Sequence, residues 1–248
     1  MLAHEETMAG WIRDLNRDGF AVIPDALQAA AISELIDALN QADSDASAVR
    51  QRGRETYAIR NLLEAVPAVR ALAASPVIRS PVEAVLGSGA RAVRGLLFDK
   101  TADANWKVAW HQDLTIAVEQ RVDVPGFGPW SIKAGVEHVQ PPVEILQRML
   151  TLRLHLDDCN EMNGPLQVLP GSHIAGKLNA KVIQTWRDRT SAVTCAVNRG
   201  GILLMRPLLL HASSPAKTPA HRRVIHLEFA AEALPGGLDW LTTCYKEA

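Results

Sequence analysis

Residues 150–169 read LTLRLHLDDCNEMNGPLQVL. Two short β-rich runs, Leu150–Leu156 and Leu166–Leu169, flank a stretch of Asp, Asn and Gly-Pro that interrupts regular structure. In the first run Leu152, Leu154 and Leu156 alternate with Thr151, Arg153 and His155, so a strand here has one apolar and one polar face. Outward from this stretch the same texture recurs in Val93–Lys100, Ser191–Val197, Gly201–Met205 and Arg222–Phe229. Before Gly89 it changes. Helices are predicted over residues 5–17 and over 26–42, where Leu27, Ile32, Leu35, Ile36 and Leu39 recur at helical spacing behind Asp25 as a cap. A third is predicted over 76–86, with Pro76 and Pro81 near its start and Gly87 at its end. Phe20–Ile23 reads as a short strand and Ser44–Gly53 as a polar loop. Helices first and short strands after predict an α+β chain whose functional half is a β-sandwich or barrel. A single domain over 1–248 is expected, with 1–89 mainly helical support and 90–232 the β core.

The chain has 248 residues, 48% hydrophobic and 21% charged, enough for one large core. The net charge of −1, with Arg and Lys scattered, offers no field to draw nucleic acid or an anionic membrane. No apolar stretch reaches the ~20 residues of a membrane span, and the opening MLAHEETMAG lacks the pattern of a signal peptide. Cys159, Cys195 and Cys244 are far apart with no CxxC pair, so neither a zinc knuckle nor a disulfide framework is expected. Reduced thiols and a cytoplasmic location are.

Trp110-His111-Gln112-Asp113 sets a histidine and an aspartate two residues apart, on one face if the segment is extended. An imidazole and a carboxylate together suit Fe(II), and a second histidine from a distant strand completes a facial triad with open positions. His211, at the end of the apolar run Leu208–Leu210, supplies it. Alone the His-x-Asp pair is a weak signal, because eight histidines give many chance neighbours. Its company strengthens it. Arg222 opens the strand Arg222–Phe229, where a guanidinium pointing into the barrel grips a carboxylate with two parallel hydrogen bonds.

With these residues in hand, the chain resembles the phytanoyl-CoA hydroxylase family of iron(II)/2-oxoglutarate-dependent oxygenases over about residues 15–232. Four matches carry the resemblance: Asp18-Gly19-Phe20; Trp110-His111-Gln112-Asp113; Asn163-Gly164-Pro165-Leu166 running into Leu169-Pro170-Gly171-Ser172-His173; and His211-Ala212-Ser213 with Arg222. It implies a double-stranded β-helix (a jelly-roll, cupin-like barrel) with the N-terminal helices packed on one face. It also implies Fe(II) held by His111, Asp113 and His211, and 2-oxoglutarate anchored by Arg222 with Ser213 as a second donor. The expected reaction consumes O2 and 2-oxoglutarate, hydroxylates an unactivated C–H of a small or medium-sized organic substrate, and releases succinate and CO2. A carboxylate at 113 favours hydroxylation over the halogenation of relatives that carry a small residue there. A non-catalytic or 2-oxoglutarate-independent metal protein of the same fold is the alternative. One departure stands out: where many members carry an inward Trp, this chain has Arg153, which either meets a carboxylate or sits in a solvent-facing row.

The segment 121–142, rich in Gly and Pro with Phe127, Trp130 and His138, is expected to be a long loop acting as a lid. Trp130 and His138 are then candidates for the pocket. Lys100 and Arg60 either meet an anionic substrate or stay solvated. His173 is expected to be structural, and His226 and Glu228, on the face of Arg222, to support the site or the core.

Overall fold

The computed structural model describes residues 2–42, 49–52 and 55–241. The helices are α1 (Leu2–Asp18), α2 (Ala29–Asn40), α3 (Leu62–Ala65), α4 (Pro67–Ala74), α5 (Pro76–Leu86), α6 (Val143–Gln147) and α7 (Ala180–Arg189). The first seven strands are β1 (Phe20–Ile23), β2 (Val49–Arg52), β3 (Glu55–Ile59), β4 (Arg91–Lys100), β5 (Val108–His111), β6 (Ile116–Val118) and β7 (Trp130–Lys133). The rest are β8 (Val136–Val139), β9 (Leu150–His155), β10 (Leu166–Val168), β11 (Val193–Cys195), β12 (Ile202–Met205), β13 (His211–Ser213) and β14 (Arg222–Ala230). None of the described helices is long and apolar enough to cross a membrane.

Three antiparallel sheets result. The main sheet runs β1-β12-β9-β14-β4-β3-β2, the minor sheet β11-β10-β13-β5, and a small third sheet β6-β8-β7. The main and minor sheets pack face to face, Leu203 and Met205 of β12 meeting Leu166 and Val168 of β10. This is the expected α+β, jelly-roll-like architecture, although hydrogen bonding does not close it into a ring.

The alternation in residues 150–156 is realised across the main sheet. Leu152, Leu154, Ile202, Leu204, Ile225 and Leu227 face one way, into a core shared with Leu15, Ile32, Leu62, Val69 and Ile78 of the helices. Leu152 and Leu154 are fully buried, each such side chain contributing about 1.5–3 kcal/mol. The opposite face carries Thr151, Arg153, His155, His226 and Glu228, all buried as well. A polar face removed from water needs partners or a purpose.

Several boundaries differ from expectation. α2 begins at Ala29 behind Gln28, and Asp25 is not its cap but a turn residue with φ 50°. The cause is Leu27, whose N–H is drawn to the Gly200 carbonyl at 3.0 Å. Gly200, at φ 84°, permits this approach, since a Cβ there would sit 2.4 Å from the Leu27 oxygen. Residues 49–52, expected within a polar loop, form β2, while 44–48 and Gly53 lie outside the described residues. The segment 121–142 contains the β7–β8 hairpin rather than a continuous loop. Its Phe127 and Trp130 pack beside a second core of Ile116, Val118, Val139 and Leu146. Leu234, Leu238 and Trp240, past the expected limit at 232, are buried in that same core. Cys159 and Cys195 are free and buried, and Cys244 lies outside the described residues.

Candidate metal centre

β13 pairs with β5 so that His211 stands opposite His111. β5 ends at His111, and hydrogen bonds from Gln112 and Asp113 hold the two residues that follow it. The Gln112 amide donates to the carbonyls of Gly176 at 2.8 Å and Leu208 at 2.7 Å and accepts from Leu178 N–H at 2.8 Å. The Asp113 N–H donates to Pro207 O at 2.9 Å. Alternation thus turns His111 and Asp113 to one side while Gln112 is held on the other.

The three candidate ligands converge. His111 Nε2 lies 3.8 Å from Asp113 Oδ1, and His211 Nε2 lies 3.7 Å from Asp113 Oδ2. One ligand atom from each of the three residues falls within 4.8 Å of the others. These spacings are too long for hydrogen bonds, and the buried Asp113 Oδ2 has no donor at all. A shared cation fits such a gap. The tautomers agree: His111 Nδ1 is 2.8 Å from Ala109 O and His211 Nδ1 is 2.9 Å from Leu209 O. A carbonyl only accepts, so each Nδ1 carries the proton and each Nε2 offers its lone pair. Burial first, and then His111, push the His211 pKa down to about 4, which keeps the ring neutral and ready to ligate. Burial disfavours the Asp113 carboxylate, but His211, His226, His111 and Arg94 outweigh it and its pKa is lowered.

Beyond the triad lies a set of cations without carboxylate partners. A cavity of about 230 Å³ is lined by His111, Asp113 and His211 and also by Arg153, Ser213 and Arg222. Arg222 is buried, and its terminal nitrogen donates to the Gly164 carbonyl. Gly164 has φ 71°, and a Cβ there would meet Ser214 O at 2.5 Å, so this acceptor is positioned by a residue that must be glycine. Lys100 is not solvated; it is among the largest fully buried side chains, donating to Ser213 Oγ at 3.1 Å and to the Ser214 carbonyl. Burial first, and then Arg222, lower its pKa to about 8. Arg153 also turns inward, ending the solvent-facing reading, and burial followed by Arg222 brings its pKa to about 10. Both Arg153 and Arg222 keep a buried Nε with no acceptor. Cations buried in this way fit a dicarboxylate co-substrate.

His226 and Glu228 belong to this wall. Arg153 donates to His226 Nδ1 at 2.9 Å, so the remaining proton of a neutral His226 is on Nε2, 3.4 Å from Glu228 Oε1. Arg94 closes the chain with a 2.9 Å ion pair to Glu228. Arg94, Phe98, Trp106 and Lys133, which sequence reasoning passed over, line the cavity, as does Arg60. Trp130 and His138 do not. Trp130 joins the second core, and His138 is buried with Nδ1 3.0 Å from the Val136 carbonyl. His173 borders a different pocket with Asn16 and Arg206.

Comparison with known proteins agrees with this geometry. The phytanoyl-CoA dioxygenase (PhyH) family model matches residues 15–224. No curated protein matches in sequence. Among solved structures the chain is similar to EctD from S. alaskensis, crystallised with 2-oxoglutarate and 5-hydroxyectoine, at 21% identity and a TM-score of 0.70, covering 90% of this chain and 76% of that one. It is also similar to AviO1 from Streptomyces viridochromogenes Tue57, at 24% identity and a TM-score of 0.64, covering 92% and 97%. The epimerase SnoN from nogalamycin biosynthesis aligns at 18% identity and a TM-score of 0.65, covering 94% and 91%. The chain belongs to the phytanoyl-CoA dioxygenase family, and with it to the iron(II)- and 2-oxoglutarate-dependent oxygenases.

Proposed function

We propose that the protein is a hydroxylase that oxidises an unactivated C–H bond of a small or medium-sized organic molecule, with release of succinate and CO2. In this reading His111, Asp113 and His211 hold the iron, Arg222 grips the distal carboxylate of 2-oxoglutarate, and Ser213 donates beside it. The carrying observation is that three ligand atoms converge within 4.8 Å in a cavity that also holds buried guanidinium groups lacking any carboxylate. When bound, iron and 2-oxoglutarate supply the oxidising chemistry. The chain's own residues do the positioning. The carbonyls of Ala109 and Leu209 hold both imidazoles in the ligating tautomer, and Arg222 with Ser213, whose hydroxyl is fixed from behind by Lys100, gives the incoming anion a preformed seat. Arg153, tied to His226, adds positive charge to the same wall. The hairpin in 121–142 acts as the lid by setting Lys133 at the cavity. The buried thiols Cys159 and Cys195 suit a reducing cytoplasm. A non-catalytic or 2-oxoglutarate-independent protein would leave Arg153 and Arg222 buried without an anion, which argues against that alternative.

Anaerobic addition of Fe(II) and 2-oxoglutarate is expected to give a visible charge-transfer band that His111→Ala abolishes. A wild-type protein without the band, or a His111→Ala protein that keeps it, would sink the assignment.

A further inference from the structure

Two cations line the cavity outside the groups placed above around iron and 2-oxoglutarate. Arg60 follows the end of β3 and Lys133 ends β7. Each precedes a residue in the left-handed region, Asn61 at φ 55° and Ala134 at φ 52°. The Asn61 side-chain amide donates to the Ala134 carbonyl at 3.3 Å across 73 residues of sequence. The two turns are thereby fastened together, and both Arg60 and Lys133 line the cavity that holds the triad. Arg94 shares that wall, but its charge is met by Glu228. Among the described residues Lys133 donates to the neutral Thr115 Oγ1, at 3.2 Å. Among the described residues no carboxylate pairs with Arg60 or Lys133. Burial, followed by the field of Arg94, lowers the pKa of both.

The charges of the cavity lean one way. Arg60, Arg94, Lys133, Arg153 and Arg222 face only Asp113 and Glu228. Iron(II) brings two positive charges and 2-oxoglutarate two negative ones, so loading the site leaves the imbalance as it was. An adjoining chamber of about 550 Å³ shares Arg60, Phe98 and Trp106 with the cavity and adds Arg50 and Tyr57, again with no acid among its described lining. Tyr57 and Trp106 stand edge to face there at 5.7 Å.

We propose that Arg60 and Lys133 form a receptor for an anionic head group of the substrate, a carboxylate or a phosphate monoester. The head group is held between the two fastened turns and the reacting carbon is directed toward His111, Asp113 and His211. The role of substrate rests on the oxygenase reading; the anion receptor rests on the two turns.

The test uses protein loaded anaerobically with Fe(II) and saturating 2-oxoglutarate. It is titrated with small carboxylic acids, their primary amides and the matching phosphate monoesters, and read by calorimetry and thermal shift. Anionic members are expected to bind at least about tenfold more tightly than the amides, and comparison of acids with monoesters identifies the head group. The double variant Arg60→Gln with Lys133→Gln is expected to lose that preference while the charge-transfer titration with 2-oxoglutarate stays in place, and Arg60→Lys is expected to retain it. Amides that bind as well as acids, or a panel with no anionic binder, overturn the proposal. So does a double variant that weakens 2-oxoglutarate itself, since the cations would then serve the co-substrate. Loss of the wild-type band with anion preference intact strikes the oxygenase reading alone.

Discussion

Arg222, Arg153 and Lys100 are buried side chains whose neighbours are a carbonyl, an imidazole and a hydroxyl rather than carboxylates. Such groups hold their charge at a cost that a bound dicarboxylate offsets. Arg222→Ala is therefore expected to raise the 2-oxoglutarate requirement by the equivalent of about 2–5 kcal/mol and to leave iron binding nearly unchanged. Equal co-substrate titrations of variant and wild type would remove Arg222 from the anchor role. Glu228 carries a different burden, because it faces both Arg94 and His226 at low exposure. Glu228→Leu is expected to destabilise the fold by about 3–5 kcal/mol, visible as a lower denaturation midpoint. The ligand pair at 111 and 113 was legible in sequence because its meaning lies in residue type and a spacing of two. Lys100 was not. Its burial depends on Ser213 and Ser214, more than a hundred residues away, and a lysine ending a strand gives no local sign of that contact.

The metal centre depends on two short strand ends held from behind. Gln112 spends its side-chain amide on three backbone groups and so fixes the direction of its neighbours on either side. Gln112→Ala is expected to lower iron affinity about 10- to 100-fold, measured by metal titration, with a modest loss of stability. Unaltered affinity would show that the pairing of β5 with β13 alone suffices. Alternation in β9 and β14 grouped Arg153 with Thr151 and His155, and His226 and Glu228 with Arg222, because a period of two survives any small error in strand limits, but it left open whether the face of Arg153 looked inward. The β7–β8 hairpin escaped notice for a local reason. Its turn residues are Ala134 and Gly135, both at positive φ, and alanine is not the residue that announces such a turn. With the hairpin unseen, the sequence points Trp130 and His138 toward the pocket, whereas Trp130 packs beside the core of β6 and β8 and His138 is buried against the Val136 carbonyl.

Outside the metal ligands, His138 and His155 are buried and, among the described residues, neither is paired with a carboxylate. Burial, followed by Arg94, brings the His138 pKa to about 4, and burial with Arg153 and Arg222 holds His155 well below its ordinary value. The unfolded chain binds these protons more readily than the folded one, so stability is full above about pH 6.5 and declines as pH falls toward about 4. Thermal unfolding of the metal-free protein is expected to drop across that window by the equivalent of a few kcal/mol. A flat profile would mean that these rings take up protons within the fold. The helical layer against a β half was legible from the change of texture near Gly89. The division into a main, a minor and a third sheet was not, because long-range pairings such as β1 with β12 leave no mark in either segment alone.

The main sheet is two-sided, leucines toward the helices and ionisable groups toward the cavity, on strands adjacent in the sheet. A misalignment of β9 by a single residue during assembly would drive Arg153 and His155 into the greasy layer and turn Leu152 and Leu154 outward. No such mispaired chain gains from docking its helices. The side chains set aside for chemistry thus also act as proofreaders of the nascent fold, rejecting each odd-numbered slip that would turn the reactive face away from the cavity.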